Sequence, residues 1–197
     1  MSGVGKSHWA KQLAHRGWLH LDCDAMIAQR LGELIDVAQG EDAVHAVGRW
    51  MGMPWTPGYE ERETQYLELE REVTAHALDA AAQHTGPGVV LDTTGSVIYT
   101  GDALLDRLRS ETRVVYFDAP DAVRDRMVAL YLKEPKPVLW QGGYQPGPGE
   151  AETDALARCY ARLLSSRAKQ YRQRADVTVS YHAARAQGFD LLDAVGI

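Results

Sequence analysis

"MSGVGKS", residues 1–7, running straight into the helical stretch "HWAKQLAH" (8–15), decides how this chain is read. The pattern Gly-x-x-x-x-Gly-Lys-Ser/Thr marks a phosphate-binding loop, and Gly5, Lys6 and Ser7 supply its last three positions. Its glycines let successive backbone N–H groups turn inward around a phosphate, and the following helix adds its positive end. Gly3, Val4, Gly5, Lys6, Ser7 and His8 are therefore the candidate nucleotide-binding residues, with Ser7 also a Mg²⁺ ligand. The motif's first glycine falls one position ahead of Met1. Such loops follow the central strand of a sheet. The expectation is an α/β fold whose first strand is truncated, leaving two neighbouring strands without a partner. A reading frame that continues upstream through a short apolar strand and a glycine is expected too. The competing reading, a flexible Gly/Ser start before an ordinary helix, is decided by what lies downstream.

Downstream, strand and helix alternate. Apolar runs at 18–21, 89–95, 113–120 and 175–180 read as strands. Helices are expected at 24–31, 42–50, 59–84, 103–108, 121–132, 151–174 and 189–195. "TGPG" (85–88) stops the longest of them. This order predicts a three-layer α/β/α fold with a parallel sheet, in a single domain over 1–197. Two stretches rich in Gly, Pro and aromatic residues stand apart: 50–62, a possible substrate-side loop in which Trp55 or Tyr59 lines the pocket, and 133–150, a lid.

Composition narrows the function. The chain has 197 residues, a formal net charge of -6 and no basic cluster, which argues against nucleic acid as a partner. No apolar run has the length of a membrane span, and no leader is evident. Cys23 and Cys159 make neither a disulfide framework nor a metal-ligand spacing. A cytoplasmic protein is expected; the oligomeric state is not legible.

"LHLDCDAMI" (19–27) places Asp22 and Asp24 at a strand end, two residues apart and so on one side if the backbone stays extended. Two such carboxylates can divide the work, one supporting Mg²⁺ and one accepting a hydroxyl proton. The bland alternative is a capping aspartate followed by a helix. Cys23, between them, should point into the core.

At this point the chain resembles the shikimate kinase family of small P-loop kinases. The resemblance is carried by "SGVGKS" (2–7), "LDCDAMI" (21–27), "YEERETQYL" (59–67), "VVLDTTGSVIY" (89–99), "KPVL" (136–139) and "LLSSRAKQYRQRADVTV" (163–179). It implies ATP and Mg²⁺ at Gly3, Gly5, Lys6 and Ser7, and Mg²⁺ supported by Asp22. It also implies that Asp24 deprotonates an acceptor hydroxyl, that Thr93, Thr94 and Gly95 lie against the acceptor, and that Arg167 touches it. Arg126 would lie near adenine, and Lys136 would replace the lid arginine.

The departures bear on the acceptor. The family's carboxylate-binding arginine falls on Glu60, which repels an acid. Thr93 and Thr94 replace glycines. Lys136 keeps the charge of an arginine and loses its fork. The implied reaction is phosphorylation of a small hydroxylated metabolite, neutral or cationic rather than shikimate. Other readings fit less well. A GTPase would need Asn-Lys-x-Asp beside "DTTG" (92–95), and no such run exists. A phosphatase using Asp22 as nucleophile leaves the glycine loop unexplained. A non-catalytic nucleotide-binding regulator is the remaining alternative. Asp92 either serves Mg²⁺ through water or caps its strand.

Overall fold

The computed structural model describes residues 3–134 and 136–197; Met1, Ser2 and the lid's Pro135 lie outside the described residues. Helix α1 (Lys6–His15) leaves the glycine loop, and Gly17 turns the chain into strand β1 (Leu19–Asp22). The Asp22 side chain accepts from the Ala25 amide at 3.0 Å and so caps α2 (Cys23–Leu31). Asp42 caps α3 (Ala43–Met51) in the same way. Helix α4 (Tyr59–Gln83) is the longest. After it come β2 (Val89–Asp92), α5 (Asp102–Glu111), β3 (Val115–Asp118), α6 (Asp121–Lys133), α7 (Glu152–Arg174), β4 (Val177–Ser180) and α8 (Leu191–Val195). Acids in the first turn of α7 and arginines in its last complement the helix dipole.

The expected α/β class with parallel strands is what the structure has, but the strands form two pairs rather than one sheet. β1 pairs in parallel with β2, Leu19 opposite Val89 and Asp22 opposite Asp92. β3 pairs in parallel with β4, Val115 opposite Val177. Among the described residues no strand joins the pairs. Between β2 and β3 lies a cavity of about 790 Å³, lined by every residue of β2, by Val115, Tyr116 and Phe117 of β3, and by Val4 and Leu191. Among the described residues neither β2 nor β3 has a second strand partner, and both line this slot.

One large core links the helices to both pairs. Ile27, Met51, Val73, Leu139, Trp140 and Leu164 are among its largest fully buried side chains. The buried face of α4 reads Tyr59, Glu63, Tyr66, Leu67, Glu70, Val73, Thr74, Ala77 and Leu78, an i, i+3, i+4 series. Three of those positions are polar in a stripe that should be apolar, so this helix carries more than packing.

Candidate active site

A second cavity, about 560 Å³ and mostly polar, opens where the glycine loop meets the C-terminal ends of β1 and β2. It is smaller than the slot between the strand pairs, yet it holds the chemistry. The slot is mainly apolar, although Lys6 reaches both cavities, whereas this cleft gathers Gly3, Gly5, Lys6, Ser7, Asp22, Asp24, Gly95, Ser96, Lys136 and Arg167.

The loop is shaped for an anion. Gly3 and Gly5 have φ of 76° and 111°, left-handed values that favour glycine. The first turn of α1 has no side-chain cap, so its N–H groups and the helix dipole are directed at the cleft. His8 and Lys11 also line it. Arg185, from the turn after β4, donates to the Val4 carbonyl at 3.2 Å and lies 3.5 Å from the Tyr181 ring centroid. A chain position 181 residues away thus braces the loop, and nothing in the local sequence marks it.

The aspartates meet in the cleft by a different route from the one their spacing suggested. The backbone does not stay extended: Asp22 ends β1 and caps α2, and Asp24 sits in the first turn of α2. Both still line the cleft, while Cys23 between them is fully buried. The capping role and the site role coexist, because one carboxylate has two oxygens. Burial raises the pKa of Asp24. Lys6 opposes the rise, Asp22 and Asp92 add to it, and Lys136 opposes it again. A carboxylate made more basic this way is suited to taking a proton from a hydroxyl. The Tyr66 hydroxyl lies 3.5 Å from its Oδ1. Behind Asp24, Asp92 is 5 % exposed; its Oδ1 has no hydrogen-bond partner and its Oδ2 is 3.9 Å from His20 Nε2.

Arg167 is buried and lines the cleft, but three of its donors are already engaged. Nη1 donates to the Gly95 carbonyl at 3.0 Å, Nη2 to the Leu139 carbonyl at 2.7 Å and Nε to the Tyr99 hydroxyl at 3.3 Å. Thr94 is turned away from the cleft: its hydroxyl, like that of Ser96, donates to Oε1 of the fully buried Glu70. Burial is the first cause lifting the Glu70 carboxyl to about 8; Ser96 and Arg167 pull against it.

Other expected residues lie elsewhere. Thr93 and Val4 face the slot rather than the cleft. Glu60 is on the exposed face of the first turn of α4, and Arg126 is exposed on α6, donating to the Ala122 carbonyl at 3.4 Å. Neither lines the cleft, because helical periodicity turns both outward. The expected loop at 50–62 shrinks to 52–58 between α3 and α4; Trp55 packs on Tyr144 and Tyr59 is buried, so neither lines the cleft. Sequence reasoning missed Tyr66, Ser96, Asp42, Lys11 and Arg185. Tyr66 and Glu70 had a signal, since they continue the buried stripe of α4.

Comparison with protein families gives a match to the AAA domain model over residues 1–130. The chain belongs to the AAA domain family. The matched part of this AAA domain runs from the glycine loop into α6 and contains Lys6, Ser7, Asp22, Asp24 and Gly95; Lys136 and Arg167 lie beyond it. Membership makes the chain a nucleotide-binding, P-loop NTPase-like protein of kinase-like type. Neither curated proteins nor solved structures gave a significant match. Among the described residues of the AAA domain and its C-terminal part, no helix is long and apolar enough to cross a membrane.

Proposed function

We propose that the protein transfers the γ-phosphoryl group of ATP to a hydroxyl of a small metabolite. One observation carries this reading: Lys6 and Ser7, Asp22 and Asp24, and Lys136, from three separate parts of the sequence, all line one polar cleft. Gly3, Gly5 and the uncapped start of α1 bind the phosphates, with Lys6 offsetting their charge. The hard oxygen donors Ser7 and Asp22 would hold Mg²⁺, which when bound would supply positive charge to offset that of the phosphates. Asp24 orients the acceptor hydroxyl and accepts its proton as the oxygen attacks phosphorus. ADP leaves as the P–O bond to its β-phosphate breaks, and Lys136 offsets the charge spreading over the transferred group. Most of the acceleration in this class comes from positioning and electrostatics.

The acceptor side favours a neutral or cationic compound over an acid. Asp24 and Asp42 line the cleft, and the Arg167 guanidinium is engaged with two carbonyls and a phenol. Tyr66 adds a hydroxyl partner suited to a polyol or an amino alcohol, whereas the Ser96 hydroxyl is taken up by Glu70.

The test is coupled ADP release with Mg-ATP, against shikimate and a panel of polyols, amino alcohols and nucleosides. Acceptor-dependent turnover by one of them, and none by shikimate, is the expected result. Turnover with shikimate overturns the acceptor assignment. Tight ATP binding with no turnover across the panel overturns the enzyme reading in favour of a nucleotide-binding regulator.

A further inference from the structure

The segment 138–141 follows Lys136 directly, and its Gly- and Pro-rich surroundings suggest a mobile cover. Its contacts say otherwise. Val138, Leu139 and Trp140 are 6 %, 0 % and 2 % exposed. Four successive backbone positions are held by side chains from two different helices. From α4, one Glu63 oxygen accepts from the Trp140 amide and, at 3.0 Å, from the Gln141 amide. The Tyr59 hydroxyl lies 2.7 Å from both that oxygen and the Val138 carbonyl. From α7, Arg167 donates to the Leu139 carbonyl at 2.7 Å and to the Gly95 carbonyl at 3.0 Å. The Trp140 ring is wedged among Tyr131, Tyr144 and Tyr160.

A buried carboxylate accepting two amides, opposite a buried guanidinium donating to two carbonyls, is a charge-assisted grip with both polarities satisfied. The grip ends two residues short of Lys136, which is close enough to Asp24 to influence its ionisation. Arg167 ties the same segment to Gly95 on the opposite wall of the cleft.

We propose that Glu63 and Arg167 are positioning residues that hold Lys136 at the transferred phosphoryl group in the resting protein, so that this cation is in place before nucleotide arrives. The proposal rests on the phosphoryl-transfer reading for its kinetic consequence and not for its structural one. In this protein the lid's cation is preformed, and the exposed stretch from Gly142 onward is left to move.

The experiment compares wild type with Glu63→Gln, Lys136→Ala and the double variant. It uses steady-state kinetics and site-resolved amide hydrogen exchange with and without Mg-ATP. Glu63→Gln keeps the size of the side chain and removes its charge. It is expected to lower kcat by about 10- to 100-fold, the cost of a small misplacement of a charged group. Lys136→Ala should cost a similar factor and the double variant no more than either, because one residue acts through the other. In the nucleotide-free wild type, the Trp140 and Gln141 amides should be protected as strongly as the core of α4, and Glu63→Gln should release them selectively. The proposal is overturned if those amides gain protection only when Mg-ATP is added. It is equally overturned if Glu63→Gln costs the same factor in the Lys136→Ala background. Absence of turnover in the wild type would sink the kinase reading alone, since the exchange pattern still decides whether the segment is preformed.

Discussion

Replacing Glu70 by glutamine should make the protein markedly less sensitive to alkaline pH. Glu70 is completely buried, and Thr94 and Ser96 donate hydroxyls to its Oε1 while its Oε2 has no partner. Charged neighbours reach it from three elements: Arg167 on α7, Asp24 on α2 and Arg71 on its own helix. Its carboxyl is held at about 8, against an ordinary 4.5. The folded state therefore keeps a proton that the unfolded chain has already released. Stability associated with this group is full below about pH 4.5 and is lost as the pH rises towards and through 8. At about 1.4 kcal/mol per pH unit, the difference between pH 5 and pH 9 is ~4 kcal/mol. That corresponds to roughly 10 °C in Tm for a chain of this size. Glutamine has the shape of the protonated acid and no charge to expose. Glu70→Gln should match wild type at pH 5 and exceed it by several kcal/mol at pH 9. Urea unfolding at a series of pH values measures this directly. Parallel stability curves for the two proteins would falsify the idea that Glu70 is protonated in the fold.

Three further outcomes follow from the same structure. Asp24→Asn should reduce kcat by about 10²- to 10⁴-fold with little change in Mg-ATP affinity, which would separate its proton-accepting role from nucleotide binding; an unchanged kcat removes Asp24 from the chemistry. Adding a five-residue Val/Ile strand and a glycine ahead of Met1 should fill the 790 Å³ slot, raise Tm and protect the inner-edge amides of β2 and β3. A proline-containing version of the same extension should do neither, and equal behaviour of the two would count against strand insertion. Cys23 is fully buried, and burial pushes its thiol well up. Iodoacetamide should therefore label it only when the protein unfolds, as checked by mass spectrometry of the native and urea-treated chain.

Much of the element order was present in the sequence. The apolar runs at 89–95 and 113–120 and the long periodic helices needed no tertiary information, because burial of a strand or a helix face leaves its own period in the residue order. The glycine loop was legible for the same local reason: a cradle for phosphate is made of consecutive backbone groups. Asp22 and Asp24 were legible as a pair, and a capping aspartate followed by a helix was one of two readings; the choice between extended and helical backbone after Asp22 rests on a cap bond to Ala25. What the order of residues could not reveal was which polar groups would be consumed by the fold. Arg167 and Thr94 look like substrate contacts until Gly95, Leu139 and Glu70 take up their hydrogen bonds. The stretch 138–141 looks like a loop until Glu63, 77 and 78 residues earlier than Trp140 and Gln141, accepts their amides. Loop, motif and element types are set by neighbours in the chain, so the sequence alone determines them. Pairing between helices that meet only in space is set by packing, and there the tertiary structure alone decided which charges remain available to a substrate.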